Sequence, residues 1–311
     1  MIPYFDIPVI RLGPLEIHAF GVLVALGILV GADRTRKRAR QLGLTDEPTS
    51  VMITWVVVCG FIISHMFDVL TYQPGEMAHA ELPGWIASLV DKLPDAGRAF
   101  FSAGWFRGLV FLLNPTAGIS SFGGFIGSLL TLIWWSRRNR YPLLAAVDSL
   151  IFGLSVGWLF GRLGCFTAHD HPGEFTNFFL GVRYPEGVRH DLGLDEAVFA
   201  FFLAIAFAIL GRKVRRIGFY PTVAALVYGP LRFGLDFLRV REGRGADPRY
   251  FGLTPAQYGA IVMTLAGVGL AVYITRRPVF SAVSPAPVPP PAQTDPPPPP
   301  TASTPPTTKT S

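Results

Sequence analysis

The length of its apolar runs restricts this chain more than any other feature. Seven stretches are dominated by apolar side chains, at about residues 17–32, 51–72, 118–135, 145–166, 195–210, 218–238 and 254–275. Runs of roughly 17–22 residues match the ~30 Å of hydrocarbon that a helix crosses at ~1.5 Å per residue. A buried soluble core would be built from shorter ones. Composition agrees: of 311 residues, 50% are hydrophobic and only 15% charged, whereas about a quarter of a soluble domain is charged. The expected fold class is an all-α integral membrane protein with about seven transmembrane helices.

Basic clusters follow every second run. Arg34, Arg36, Lys37, Arg38 and Arg40 follow the first, and Arg137, Arg138 and Arg140 the third. Arg212, Lys213, Arg215 and Arg216 follow the fifth, and Arg276 and Arg277 the seventh. Short loops rich in Lys and Arg stay in the cytoplasm. The N-terminus is therefore expected on the periplasmic side and the C-terminus in the cytoplasm, in a multi-pass protein of the bacterial inner membrane. Pro3, Asp6, Pro8, Arg11 and Pro14 precede the first run without a basic start, so a retained helix is expected rather than a cleaved signal peptide. Residues 1–277 form the expected polytopic unit. The Pro-, Thr- and Ser-rich stretch 278–311 cannot bury a core and is expected to be disordered. Between the second and third runs, segments 82–90 and 99–113 are apolar and Trp-bearing, as interfacial segments are. Nothing in the spacing pairs Cys59 with Cys165.

Charged groups within spans are costly, so each one is a functional candidate. His18 opens the first span. His65 and Asp68 share a face of the second, Asp148 starts the fourth, and Arg162 lies near its far end. In the sixth, Tyr228, Arg232, Asp236 and Arg239 form one stripe at intervals of three or four residues. With the expected topology all but Asp148 reach the outer half of the bilayer. Two arginines from different helices suit a phosphate, whose oxygens accept bidentate guanidinium donors. The blander reading is two local pairs, Arg232 with Asp236 and His65 with Asp68. Arg239, Arg241, Arg244 and Arg249 lie where the charge bias does not want them, which points to an anionic partner such as lipid phosphate, or to a merely solvated loop. After Arg162, His169 and His171 flank Asp170, a base and its orienter or a solvated loop. Two imidazoles without a further matched ligand fall short of a metal site, so no metal and no cofactor are expected. The glycines of 118–127, Gly123 and Gly124 among them, suit tight helix packing or donation to a headgroup.

These residues resemble, in order, the prolipoprotein diacylglyceryl transferase family over about residues 10–277. The segment from Gly13 to Gly21, with His18, resembles the start of the family's first helix, and 120–127 its His-Gly-Gly segment. Asp148 and Gly161-Arg162-Leu163-Gly164 resemble the fourth-helix signature. Tyr228-Gly229-Pro230-Leu231-Arg232, through Asp236 to Arg239, resembles the sixth, and Gln257 fits the last. The resemblance implies transfer of a diacylglyceryl group from phosphatidylglycerol to the lipobox cysteine of a prolipoprotein signal peptide, among membrane lipids and without nucleic acid. It implies Arg162, Arg232 and Arg239 on the phosphate, with Gly123, Gly124 and Gly173 beside the lipid and Tyr228 lining the site. It also implies that thiol deprotonation is needed.

The chain departs from the family at several positions. Phe122 replaces the histidine of His-Gly-Gly, Phe20 a first-helix tyrosine, Cys165 an asparagine, and Ala168-His169-Asp170 an Asn-Gly-Glu. His169, His171 or His65 is then the expected replacement base. A non-catalytic phospholipid- or lipoprotein-binding relative is the alternative, and an anion transporter the third reading, although no internal repeat supports it.

Overall fold

The computed structural model describes residues 1–12, 15–114, 118–241 and 249–276. The proline-rich tail, Gly13, Arg244 and Arg277 lie outside the described residues. Long helices follow the apolar runs: α1 (Ala19–Gln41), α2 (Asp46–Tyr72) and then, after four short helices α3 (Pro74–Ala78), α4 (Gly84–Val90), α5 (Asp95–Phe101) and α6 (Gly104–Leu112), α7 (Ser121–Arg138), α8 (Leu143–Ala168), α9 (Leu192–Leu210), α10 (Phe219–Leu235) and α11 (Pro255–Thr275). Among the described residues, four helices are long and apolar enough to cross a membrane: α2 over Asp46–Thr71, α8, α9 and α11. The others are shorter or more charged. α10 has 17 residues before a 3-10 turn, α7 ends in Arg137 and Arg138, and α1 continues through the basic burst as helix.

Small residues set the closest helix pairs. α1 packs along α8, and α2 along α7. Gly27 and Gly31 on α1 meet Gly153 and Gly157 on α8, a four-residue repeat of small residues on both partners. A Cβ on Gly31 would stand 3.3 Å from the Gly153 carbonyl oxygen, and one on Gly157 3.3 Å from that of Gly27. In the second pair, a Cβ on Gly123 would run into Phe67 and one on Gly127 into Ile63. The glycines of this stretch therefore seat α7 on α2.

One buried ion pair gathers the helix ends on one side. Arg38 and Asp148 are both fully buried and stand 2.7 Å apart. Arg38 also donates to the Arg215 carbonyl at 3.0 Å, and Asp148 accepts from the backbone N–H of Gly218 at 2.9 Å and of Tyr220 at 3.1 Å. Asp148 thus caps α10 from another helix, where the unpaired N–H groups and the helix dipole favour a carboxylate. Gly218 enters α10 at φ +90°, a conformation that favours glycine. Gln41 donates to the Gly211 carbonyl at 2.9 Å, which adds the end of α9.

The opposite end departs from the all-helical expectation. The polar stretch after α8 forms β4 (Pro172–Phe175), β5 (Val182–Tyr184) and β6 (Gly187–Asp191). The chain start adds β1 (Ile2–Pro3), giving a four-stranded sheet ordered β1-β5-β6-β4, and β2 (Ile10–Leu12) pairs with β3 (Leu15–Ile17) as a hairpin. β1 runs parallel to β5, with Ile2 opposite Val182. Strands of two to five residues are too short for alternation to announce them.

Asp148→Ala is expected to lower stability by about 3–5 kcal/mol, because it strands the Arg38 charge in the interior. The midpoint of thermal unfolding in detergent measures this.

Candidate active site

The charged groups of three helices meet at Glu196, near the start of α9. Its side chain is 1% exposed. One carboxylate oxygen takes Arg162 Nε of α8 at 2.8 Å, and the other takes an Arg232 terminal nitrogen of α10 at 3.2 Å. The Tyr228 hydroxyl donates to Glu196 at 2.8 Å. Arg232 continues to Asp236 at 3.0 Å, and Asp236 accepts from the Thr254 hydroxyl at the N-cap of α11. The Arg162 guanidinium lies 4.6 Å from the Trp158 ring centroid, and Trp158 packs edge-on to Tyr228. The arginines are thereby held side by side before any ligand arrives. One terminal nitrogen of Arg162 faces Cys165 Sγ at 3.9 Å, and a guanidinium has five N–H donors in all.

Four of the residues expected to converge form this cluster, and a fifth lies beside it. Arg162, Arg232 and Asp236 belong to it, with Tyr228. Gly173 lies beside it, bridged by backbone to Arg239 in a site so close that a Cβ would meet the Leu238 carbonyl and His190. Asp148 belongs instead to the Arg38 pair. Gly123 and Gly124 face α2, with Gly124 against Ser64. His18 is exposed beside Glu16, 4.0 Å away.

The expected bases need correction. His65 bonds the Gly118 carbonyl through Nδ1 and the Leu112 carbonyl through Nε2, both at 2.8 Å, and does not pair with Asp68. Asp68 accepts from Gln73. His169 is buried with both ring nitrogens engaged, Nδ1 with Asp191 at 2.8 Å and Nε2 with the Phe5 carbonyl at 3.1 Å. Tyr4 stacks on it at 4.5 Å between centroids. It takes φ +48° as the C-cap of α8, and it ties that helix to the chain start. Asp191 also accepts from Tyr184 at 2.8 Å and from the backbone N–H of Leu194 at 3.1 Å, capping α9. Burial, with the Asp191 carboxylate beside it, pushes the Tyr184 phenol above its ordinary value and keeps it a donor. His171 Nδ1 lies 3.0 Å from Asp170 but forms no aligned hydrogen bond. Cys165, Asp170 and His171 each bring one possible ligand atom within 4.8 Å of the others. The Arg162 charge beside that sulfur opposes a cation there.

Glu196 has no basic partner at helical spacing in its own run, so local patterning does not pair it with the arginines. Its signal is a carboxylate one turn into a mostly apolar helix. Local patterning misses His190 and Asp195 as well. His190 Nδ1 lies 3.1 Å from Asp195, and both side chains are nearly buried. They line a cavity of about 480 Å³ together with Thr176, Phe178, Val198 and Leu238.

The model of the family described as prolipoprotein diacylglyceryl transferase matches residues 8–273. The chain belongs to this family. A phosphatidylglycerol–prolipoprotein diacylglyceryl transferase of Chromohalobacter salexigens is 27% identical over 291 residues, covering 91% of this chain and 98% of that protein. One of Staphylococcus carnosus is 25% identical, covering 87% of this chain and 90% of that protein. One of Pseudomonas paraeruginosa is also 25% identical, covering 88% and 96%. Membership in this transferase family agrees with the several apolar helices of a membrane protein.

Glu196→Ala is expected to cost about 3–5 kcal/mol, since it leaves two buried guanidinium groups without their shared counter-charge. Glu196→Gln keeps the shape and should fall between it and the parent protein. Unfolding midpoints of the three proteins in one detergent check the order.

Proposed function

We propose that the protein transfers a diacylglyceryl group from phosphatidylglycerol to the lipobox cysteine of prolipoproteins. The observation that carries this reading is the Arg162–Glu196–Arg232 bridge, which aligns two guanidinium groups from different helices. The reaction separates a glycerol phosphate from the glyceryl carbon, and negative charge grows on the departing oxygen. Arginines fixed beforehand in a water-poor site stabilise that charge without reorganising. Tyr228 holds Glu196 in place from the third polar contact. The names of the family's relatives supply the two substrates. In this reading seven helices span the inner membrane with the N-terminus outside. The sheet end of the bundle then faces the periplasm, where a secreted prolipoprotein arrives.

A second reading follows from two positions. Phe122 stands where the family resemblance places a histidine, and its ring packs against Phe67 at 5.7 Å. Phe20, in place of a tyrosine, sits against Gly164 of α8. A relative that holds phosphatidylglycerol without turning it over has use for the arginines and not for a base.

Purified protein, labelled phosphatidylglycerol and a lipobox peptide separate the two. Transfer is expected, and Arg162→Ala should lower it by about 10²–10³-fold, the effect of removing one transition-state donor. Lipid retained in an Arg162-dependent way without transfer by the parent protein would install the binding relative instead.

A further inference from the structure

The reaction needs an acceptor for the proton of the incoming thiol, and the family's usual histidine is Phe122 here. The chain has six histidines. His18 and His79 are exposed. His65 and His169 have both ring nitrogens engaged. His171 lies beside its sequence neighbour Asp170 without an aligned hydrogen bond, so nothing fixes its tautomer. His190 is different. Its Nδ1 meets the Asp195 carboxylate at 3.1 Å, and its ring stacks on Phe178 at 5.8 Å. No described residue is bonded to Nε2. With Nδ1–H donating to a carboxylate, Nε2 carries the lone pair, the arrangement of an oriented general base.

The placement matters as much as the tautomer. His190 lies on β6 and Asp195 in the first turn of α9, one residue before Glu196. The cavity of about 480 Å³ that the pair lines is also lined by Leu235 and Leu238, which bracket Asp236 of the charged cluster. The cavity lining thus adjoins the charged cluster along the chain, with Asp195 next to Glu196 on α9 and the two leucines on either side of Asp236. Most of the lining is apolar, with Phe178, Leu180, Val198 and the two leucines, a surface for an apolar peptide segment rather than for a free polar metabolite.

From this juxtaposition we propose that His190, oriented by Asp195, takes the proton of the lipobox thiol in the cavity beside the arginines. The proposal rests on the transferase reading. In the step, the S–H proton passes to Nε2. The sulfur electron pair forms the new C–S bond to the glyceryl carbon. The C–O bond to the phosphate breaks, and its electrons leave with glycerol phosphate at Arg162 and Arg232. The imidazolium then returns its proton to solvent. No oxidant, reductant or further reactant is needed.

The test compares the parent protein with His190→Ala and His190→Gln, using phosphatidylglycerol with a lipobox peptide that carries either cysteine or selenocysteine. A selenol is already ionised near neutral pH and has no need of a base. With the cysteine peptide, both variants are expected to lose at least about 100-fold in transfer, the low end of a general-base contribution. With the selenocysteine peptide the deficit should shrink at least tenfold, while phosphatidylglycerol stays bound as in the parent. Asp195→Asn should show the same dependence on substrate. A loss of less than about 100-fold, an equal deficit with both peptides, or a loss that follows lost lipid binding overturns the proposal. A parent protein that binds lipid but transfers to neither peptide defeats the transferase reading itself and takes this inference with it.

Discussion

Hydrocarbon leaves no buried charge unmatched, and the architecture is built around two places where that demand is met. At one end of the bundle Arg38 and Asp148, both without exposed surface, join α1, α8 and α10. Toward the other, Glu196 joins α8, α9 and α10 through Arg162, Arg232 and Tyr228. α8 belongs to both, so a single helix carries the structural lock and half of the proposed phosphate clamp. Two positive and two negative groups, counting Asp236, balance formally at the second place. An anionic lipid headgroup arriving there must compete with Glu196 for the same guanidinium donors. In the proposed reaction the carboxylate would be a placeholder that keeps the arginines aligned until a phosphate comes.

Much of this was legible in the residues. The long helices follow the apolar runs, and the arginines singled out at 162 and 232 do meet. Their counter-ion Glu196 also lies inside the apolar run at 195–210, but its arginine partners sit on other helices, so no local spacing pairs them. The same limit hid His190 and Asp195, which are placed by a strand of five residues. Such short strands carry no period, and β1 has as its partner a segment far away in the chain, so local patterning is silent about both. His169 misled for the opposite reason. Its neighbours His171 and Asp170 look like catalytic company in sequence, yet the ring turns inward to Asp191 and Phe5 and serves as a latch. Likewise the glycine-rich head of α7 admits either a ligand or a helix, and the collision that a Cβ on Gly123 would have with Phe67 decides for the helix.

Loss of a histidine at position 122 need not end the chemistry if the proton acceptor is carried on another element. The His190–Asp195 dyad sits where a strand hands over to α9. In the proposed reaction a base there would meet the thiol as the peptide enters, whereas the arginines would meet the phosphate from within the bundle. Proton transfer and leaving-group stabilisation would then be supplied by separate layers of the fold, which gives each some freedom to change.

The latch at His169 also fixes a sequence of events. Its Nε2 meets a carbonyl 164 residues earlier in the chain, and the first strand pairs with residues near 182. A ribosome releases the chain start long before its partners exist. The first segment must therefore wait, uncommitted, while four long helices are synthesised, and the polar cap can close only once the strand after the fourth has been made. Completion of the cap is thus a late step, after the first half of the bundle has been made.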